Sequence, residues 1–330
     1  MVHVLAPSDF VHLPYTPDLT QAGILYSCRS LALDLIQASN LRLEPLRQQI
    51  ADTAAEVAFH RLLSEHHLPF KTIPAARFSQ PDRFEVMLGG RRCHLVNSLI
   101  AHSSSLRRLE SEPEYLLSAP ARIPEMELTS ERMNYQDLLI FAFTLALTRP
   151  GWDEIRQSQN TQPSLQLIYI FPKIWRNPTR SQTIGPLTFL NESDEEITLD
   201  LGGSGMDHKY LSKKLRLFPR KRTVIIEDFA TLAYLSTQQV PTGKISVHSE
   251  RTHRSLQIPR HRWANLWLDG VEIILAGYAE IGEFRRQARH LHSINHAWED
   301  LSTPSPAVFL PLVDLHPLLE LLAWMKALGT

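Results

Sequence analysis

Two cysteines are all that this chain of 330 residues holds. Cys28 and Cys93 stand far apart without a metal-like spacing, so a disulfide scaffold is excluded and free thiols in a reducing compartment are expected. An excess of one charge is missing too. The net charge is −1 at pH 7, which rules out a chain-wide basic footprint but leaves room for a local basic patch. Long hydrophobic runs are absent: Leu138 to Leu147 is about half the length of a membrane helix, so no membrane contact is expected. Met1 to Asp9 carry no basic stretch followed by an apolar run, which predicts a cytoplasmic chain without a signal peptide. A phosphate-cradling loop is lacking as well. Gly202-Gly203-Ser204-Gly205 has neither the lysine nor the following helix that such a cradle needs, and it reads as a turn. The 15 histidines do not compensate. Neither His60, His66 and His67 nor His290, His292 and His296 has a partner cysteine or the two-histidine, one-acid helical spacing of a zinc protease. No metal ligands and no cofactor are expected.

What is present is the composition of a folded protein, 43% hydrophobic and 21% charged. Residues 1–43 read as an N-terminal segment with a helix over Gln21–Gln37. Apolar positions Leu46, Ile50, Ala54, Val57, Ala58 and Leu62 recur at helical spacing and predict an amphipathic helix from Glu44 to Glu65. Strands follow at Phe70–Ile73, Phe84–Leu88 and Cys93–Leu99, then a loop with a short helix over Ser103–Pro124. Leu138 to Leu147 suits a buried central strand, with a helix competing, and Leu165–Phe171 repeats the buried pattern. Prolines cluster over Pro172–Pro186, which places a domain boundary there and divides the chain into 44–172 and 173–330. Beyond it lie short strands, a hairpin expected at Asp269-Gly270, a helix over Ile281–His292 and a terminal apolar helix over Pro317–Leu328.

Gly89-Gly90 is the most informative pair. A two-residue hairpin turn requires positive φ, which glycine adopts freely. If these glycines form the turn, Leu88 opposes Arg91, Val86 opposes Cys93 and Glu85 opposes His94. Alternation then puts Phe84, Val86, Leu88, Cys93 and Leu95 on an apolar face, and Arg83, Glu85, Met87, Arg92, His94 and Val96 on the other.

Four segments taken in order resemble the restriction-endonuclease-like, or PD-(D/E)xK, nuclease superfamily: Ala55-Glu56-Val57-Ala58-Phe59, Pro81-Asp82-Arg83-Phe84-Glu85-Val86, Gly89 to Val96, and Leu139 to Phe143. The resemblance covers residues 44–172. It implies an α/β fold with a mixed sheet flanked by helices, plus a smaller α+β C-terminal domain. It also implies two acids that hold Mg²⁺ and a lysine that helps activate water, because an anionic phosphodiester needs charge neutralisation and a water of lowered pKa. On that pattern the site positions are Glu56, Asp82, Glu85 and His94, with Val96 where the lysine belongs. The other register supplies Leu95 and Asn97. Neither register holds the second acid or the lysine. Glu56 can equally be a solvent-facing helix residue, and Asp82 a turn residue.

The stretch from Lys209 to Arg222 is half basic, through Lys209, Lys213, Lys214, Arg216, Arg220, Lys221 and Arg222, with Tyr210 and Phe218 interleaved. Such a stretch neutralises phosphates while an aromatic stacks on a base. Alternatively its charges pair with the acidic Asn191–Glu196 region. Arg91 and Arg92 would also lie near bound phosphate, and Arg251, Arg254, Arg260 and Arg262 form a second, looser basic region. The expectation is a nuclease-like subunit without catalysis that binds nucleic acid or positions a protein partner. An active Mg²⁺ nuclease with a lysine moved to Lys71 or Lys173, and a protein-binding scaffold, are the alternatives.

Overall fold

A computed structural model describes residues 4–33, 43–74, 84–129, 133–148, 165–176, 183–290, 298 and 306–328. Asp82 lies outside them. The chain begins with β1 (Val11–Pro14), α1 (Pro17–Ala32), α2 (Glu44–Glu65), β2 (Phe70–Pro74), β3 (Phe84–Leu88), β4 (Arg91–Ile100), α3 (Ser103–Ser111), β5 (Pro120–Pro124), α4 (Glu125–Leu128) and β6 (Leu138–Thr148). There follow β7 (Leu167–Ile170), α5 (Lys173–Arg176), β8 (Leu187–Asn191), β9 (Ile197–Gly205), β10 (Tyr210–Leu217), β11 (Arg222–Ile225), β12 (Phe229–Thr237), β13 (Ile245–Ser249), β14 (Arg254–Ile258) and β15 (Ala264–Asn265). The last elements are β16 (Leu268–Glu280), α6 (Ile281–Gln287), β17 (Arg289–His290), β18 (Ala307–Pro311) and α7 (Leu318–Leu328).

These elements form two compact units. Met1–Gly23, Gln48–Leu147 and Asp269–Thr330 make the first, and Ile24–Arg47 with Thr148–Leu268 the second. The protein is mixed α/β. The division differs from the expected cut near 172–186, because β7 pairs antiparallel with β12 and β15 and so belongs with the later strands.

In the first unit a six-stranded mixed sheet runs in the order β1-β16-β6-β4-β3-β2. β2, β3 and β4 form an antiparallel meander, and β6 lies parallel to β4. Leu138 to Ala146 are all buried, which settles the strand-or-helix ambiguity: a strand covered on both faces takes a continuous apolar run. On one face Leu138, Ile140 and Ala142 pack with Val86, Leu88 and Cys93 beneath α2 and α7. On the other, Leu139, Phe141 and Phe143 pack with Ala121, Ile123, Phe284 and Leu310. Each such large side chain contributes roughly 1.5–3 kcal/mol by leaving water.

Asp269-Gly270 is not a hairpin turn. Both residues lie within β16, where a β-carbon on Gly270 would come within 2.0 Å of the Tyr15 ring. The glycine admits that ring against the backbone, a packing demand that looks like turn chemistry in a sequence. Burial pushes the Tyr15 hydroxyl up to about 12, and it meets Thr20 Oγ1 at 2.9 Å.

In the second unit two antiparallel sheets, β10-β9-β12-β7-β15 and β11-β8-β13-β14, bury their apolar faces in one core. Among the described residues strand dominates this unit, where an α+β arrangement was expected; α5 is its only complete α-helix. Gly202 to Gly205 lie in β9 and form no turn. The Tyr234 ring covers Gly202, where a β-carbon would come within 2.1 Å of it.

A carboxylate–imidazole–carboxylate cluster as the candidate functional site

The site begins with the turn. Gly89 and Gly90 have φ of +54° and +81°, the pair of positive values that a two-residue hairpin of this hand requires. Val86 opposes Cys93, Met87 opposes Arg92 and Leu88 opposes Arg91, as the sequence predicts. Cys93 turns into the apolar layer beneath α2, and burial pushes its thiol up to about 12. Glu85 and His94 consequently share the opposite face, where His94 Nδ1 lies 3.3 Å from Glu85 Oε1.

Sequence reasoning missed the third member. The parallel register pairs Cys93 with Leu138, so Asp137 enters β6 beside His94. Its Oδ2 lies 3.5 Å from His94 Nε2 and accepts the Asn134 backbone N–H at 2.9 Å. Asp137 stands at the mouth of the buried apolar strand, a placement that charge patterning alone could have flagged. The side chains are 19%, 11% and 7% exposed for Glu85, His94 and Asp137, so one imidazole is held between two shielded carboxylates. Arg92 Nε lies 3.3 Å from Glu85 Oε2. Arg91 donates through Nε to the Gln136 carbonyl at 2.6 Å, and its Nη2 pairs with Glu280 Oε1 at 2.9 Å. Both arginines are thus engaged by the protein itself.

The Mg²⁺ site that the resemblance implies does not fit these residues. The ion takes hard oxygen ligands, whereas here the carboxylates of Glu85 and Asp137 face an imidazole, and Glu85 faces a guanidinium as well. Val96, in the lysine position, packs into the apolar layer with Leu139 and Phe141. Among the described residues no group of three or more His, Cys, Asp or Glu is arranged to hold a metal.

No known family, curated protein or solved structure matches this chain. Chemistry must therefore be argued from the residues themselves.

Glu56 is not brought to this cluster. Its helix α2 packs through Ala54, Ala55, Ala58, Phe59 and Leu62 onto the face that carries Cys93, the reverse of the face that carries His94. On the α2 side a polar network replaces a site. Asn97 Nδ2 donates to Asp52 Oδ1 at 3.2 Å, and Thr144 Oγ1 donates to Asn97 Oδ1 at 2.9 Å. Gln48 Nε2 donates to Asp52 Oδ1 at 2.7 Å and to the Asn97 carbonyl at 2.9 Å. These bonds tie α2 to β4 and β6, so the second register, with Leu95 and Asn97, is occupied by structure.

In the second unit the basic stretch forms β10 and the turn into β11. Arg216 pairs with Glu196 and Arg220 with Asp194 at 2.6 Å, the acidic partners that the sequence offered as the alternative. Lys213 pairs with Glu227 at 2.5 Å, holding that carboxyl below its usual range, and Lys209 with Asp207 at 3.2 Å. Lys214, Lys221 and Arg222 are exposed and, among the described residues, have no ion pair. Phe218 is 43% exposed, with Arg216 and Lys221 5.2 and 5.9 Å from its ring centre.

Proposed function

We propose that this protein binds nucleic acid through a nuclease-type core that does not cut, and that it positions an active partner in a prokaryotic nucleic-acid-processing or defence complex. One observation carries the proposal: both nitrogens of His94, the residue that the resemblance aligns with a second metal-binding acid, face carboxylates. Helix α2, antiparallel β2, β3 and β4, helix α3 and, after β5 and α4, a strand parallel to β4 support the restriction-endonuclease-like resemblance. The complex is inferred by analogy of fold alone.

Phosphate contacts would come from the cations that the protein leaves uncompensated. Lys214, Lys221 and Arg222 meet that description, and exposed Phe218 offers a ring for a base. Arg91 and Arg92 would have to release Glu280 and Glu85 first, which weakens their part. The test is binding of single- and double-stranded DNA and RNA across a salt series, with and without Mg²⁺. Salt-dependent binding without cleavage supports the proposal. Absence of binding at low salt leaves only a protein scaffold.

A second reading, an active Mg²⁺ nuclease with a moved lysine, draws on Lys71. It opposes Met87 across β2 and β3 and so shares the face of Glu85. Lys173 lies in the other unit.

A further inference from the structure

We propose that the second unit carries a phosphomonoester-binding pocket at the end of the β13–β14 pair away from its connecting turn. Ile245 pairs with Ile258, so the residues just before β13 and just after β14 emerge side by side. Thr242, Gly243, Lys244, Pro259, Arg260 and His261 line a cavity of about 350 Å³ there. That is the low end of the range for small-ligand sites.

Three of the six lining residues are basic and none is acidic. Among the described residues Lys244, Arg260 and His261 have no ion pair, in contrast with Lys213, Arg216 and Arg220 of the same unit. Glu192, a nearby acid, accepts the Ser246 hydroxyl at 3.0 Å. Exposed cations that no acid pairs are free to meet an anion, although Glu192 adjoins Lys244 through a backbone hydrogen bond of 2.9 Å.

The lining is also held in place. Ile245, Ile258 and Trp263 are at most 3% exposed and anchor both segments in the core. Between Ile258 and Trp263 the chain makes a tight turn, with the Arg262 N–H bonded to the Pro259 carbonyl at 3.0 Å and the Trp263 N–H to the Arg260 carbonyl at 3.2 Å. Gly243 packs so closely on Ser193 that a β-carbon would come within 2.6 Å of its nitrogen. The backbone on both sides of the site is thus fixed, while the exposed Lys244, Arg260 and His261 side chains become ordered on binding.

A phosphomonoester suits the pocket better than an internal phosphodiester. It carries roughly −1.5 to −2 charges at neutral pH and three strong acceptor oxygens, to set against Lys244, Arg260 and His261. Two sources share this chemistry: the 5′-phosphate of a nucleic-acid strand and a free nucleoside monophosphate. The pocket stands whether or not the first unit binds nucleic acid.

The test compares 5′-phosphorylated and 5′-hydroxyl single strands of one sequence by fluorescence anisotropy, and a nucleoside monophosphate with its nucleoside by calorimetry. In at least one pair the phosphorylated ligand should bind about tenfold tighter, the scale of one charge-assisted contact. Lys244→Gln and Arg260→Gln should each erase most of that preference, while Lys326→Gln leaves it intact. All three positions are on the surface, and thermal unfolding of each variant checks the fold. Preference in the strands alone assigns the pocket to nucleic-acid ends, and preference in the nucleotide pair assigns it to free nucleotides. Equal binding within both pairs, or a preference that survives both substitutions, overturns the proposal.

Discussion

Glu85 Oε1 and His94 Nδ1 lie 3.3 Å apart across a hairpin, and Asp137 closes the imidazole from its other side. This arrangement turns both carboxylates toward one imidazole, whose buried Nε2 has no hydrogen-bond partner among the described residues. A cleaving site would leave them open to a metal.

His94→Ala leaves Glu85 and Asp137, both largely shielded, facing each other across the vacated space. Stability should fall by about 1–3 kcal/mol, the cost of leaving buried polar groups unsatisfied. The check is the urea midpoint at constant slope. A change below about 0.5 kcal/mol is what surface substitutions give and would place His94 outside any such cluster.

The basic stretch should divide by its pairing. Gln at Lys214, Lys221 or Arg222, which lack ion pairs among the described residues, should each flatten the salt dependence of nucleic-acid binding by about one unit. Gln at Arg216 or Arg220, already matched by Glu196 and Asp194, should change it less. Salt titrations read this directly, and an unchanged slope in the first set returns the whole stretch to solvated surface.

Gly270→Ala should destabilise the first unit by about 1–3 kcal/mol or more through overpacking against Tyr15. In the Tyr15→Ala background the same substitution should cost much less. Equal costs in the two backgrounds, measured by a double-mutant cycle, would separate the glycine from the ring.

Burial pushes the thiols of Cys28 and Cys93 up to about 12, so both stay neutral at pH 8 in the folded protein. Since the thiolate is the reactive form, neither should react with a disulfide reagent until denaturant is added. Fast labelling of the native protein would show that one of the two is exposed.

The hairpin was legible in the sequence because two local signals agreed: a glycine pair, and alternation with a period of two on both sides of it. Face and partner followed, down to Glu85 against His94. The buried strand was legible up to an ambiguity of helix or strand that only its neighbours resolve. Asp137 was legible as a charge at the mouth of the buried strand but not as a neighbour of His94, which depends on a parallel pairing between strands some forty residues apart. Gly202 and Gly270 misled for one reason. A glycine that admits a tyrosine ring and a glycine that makes a turn look alike without the partner ring. The domain boundary failed similarly, as a proline-rich stretch marks an irregular path but not which sheet receives the next strand.

The central claim, binding without cleavage, is tested most directly on the unmodified protein, with labelled DNA and RNA in Mg²⁺ or Mn²⁺. The account predicts salt-dependent binding and intact substrate, because the proposed resemblance puts His94 and Val96 where it calls for an acid and a lysine. Metal-dependent cleavage that disappears in Glu85→Ala would contradict it and point to Lys71, on the face of Glu85, as the lysine that completes an active site.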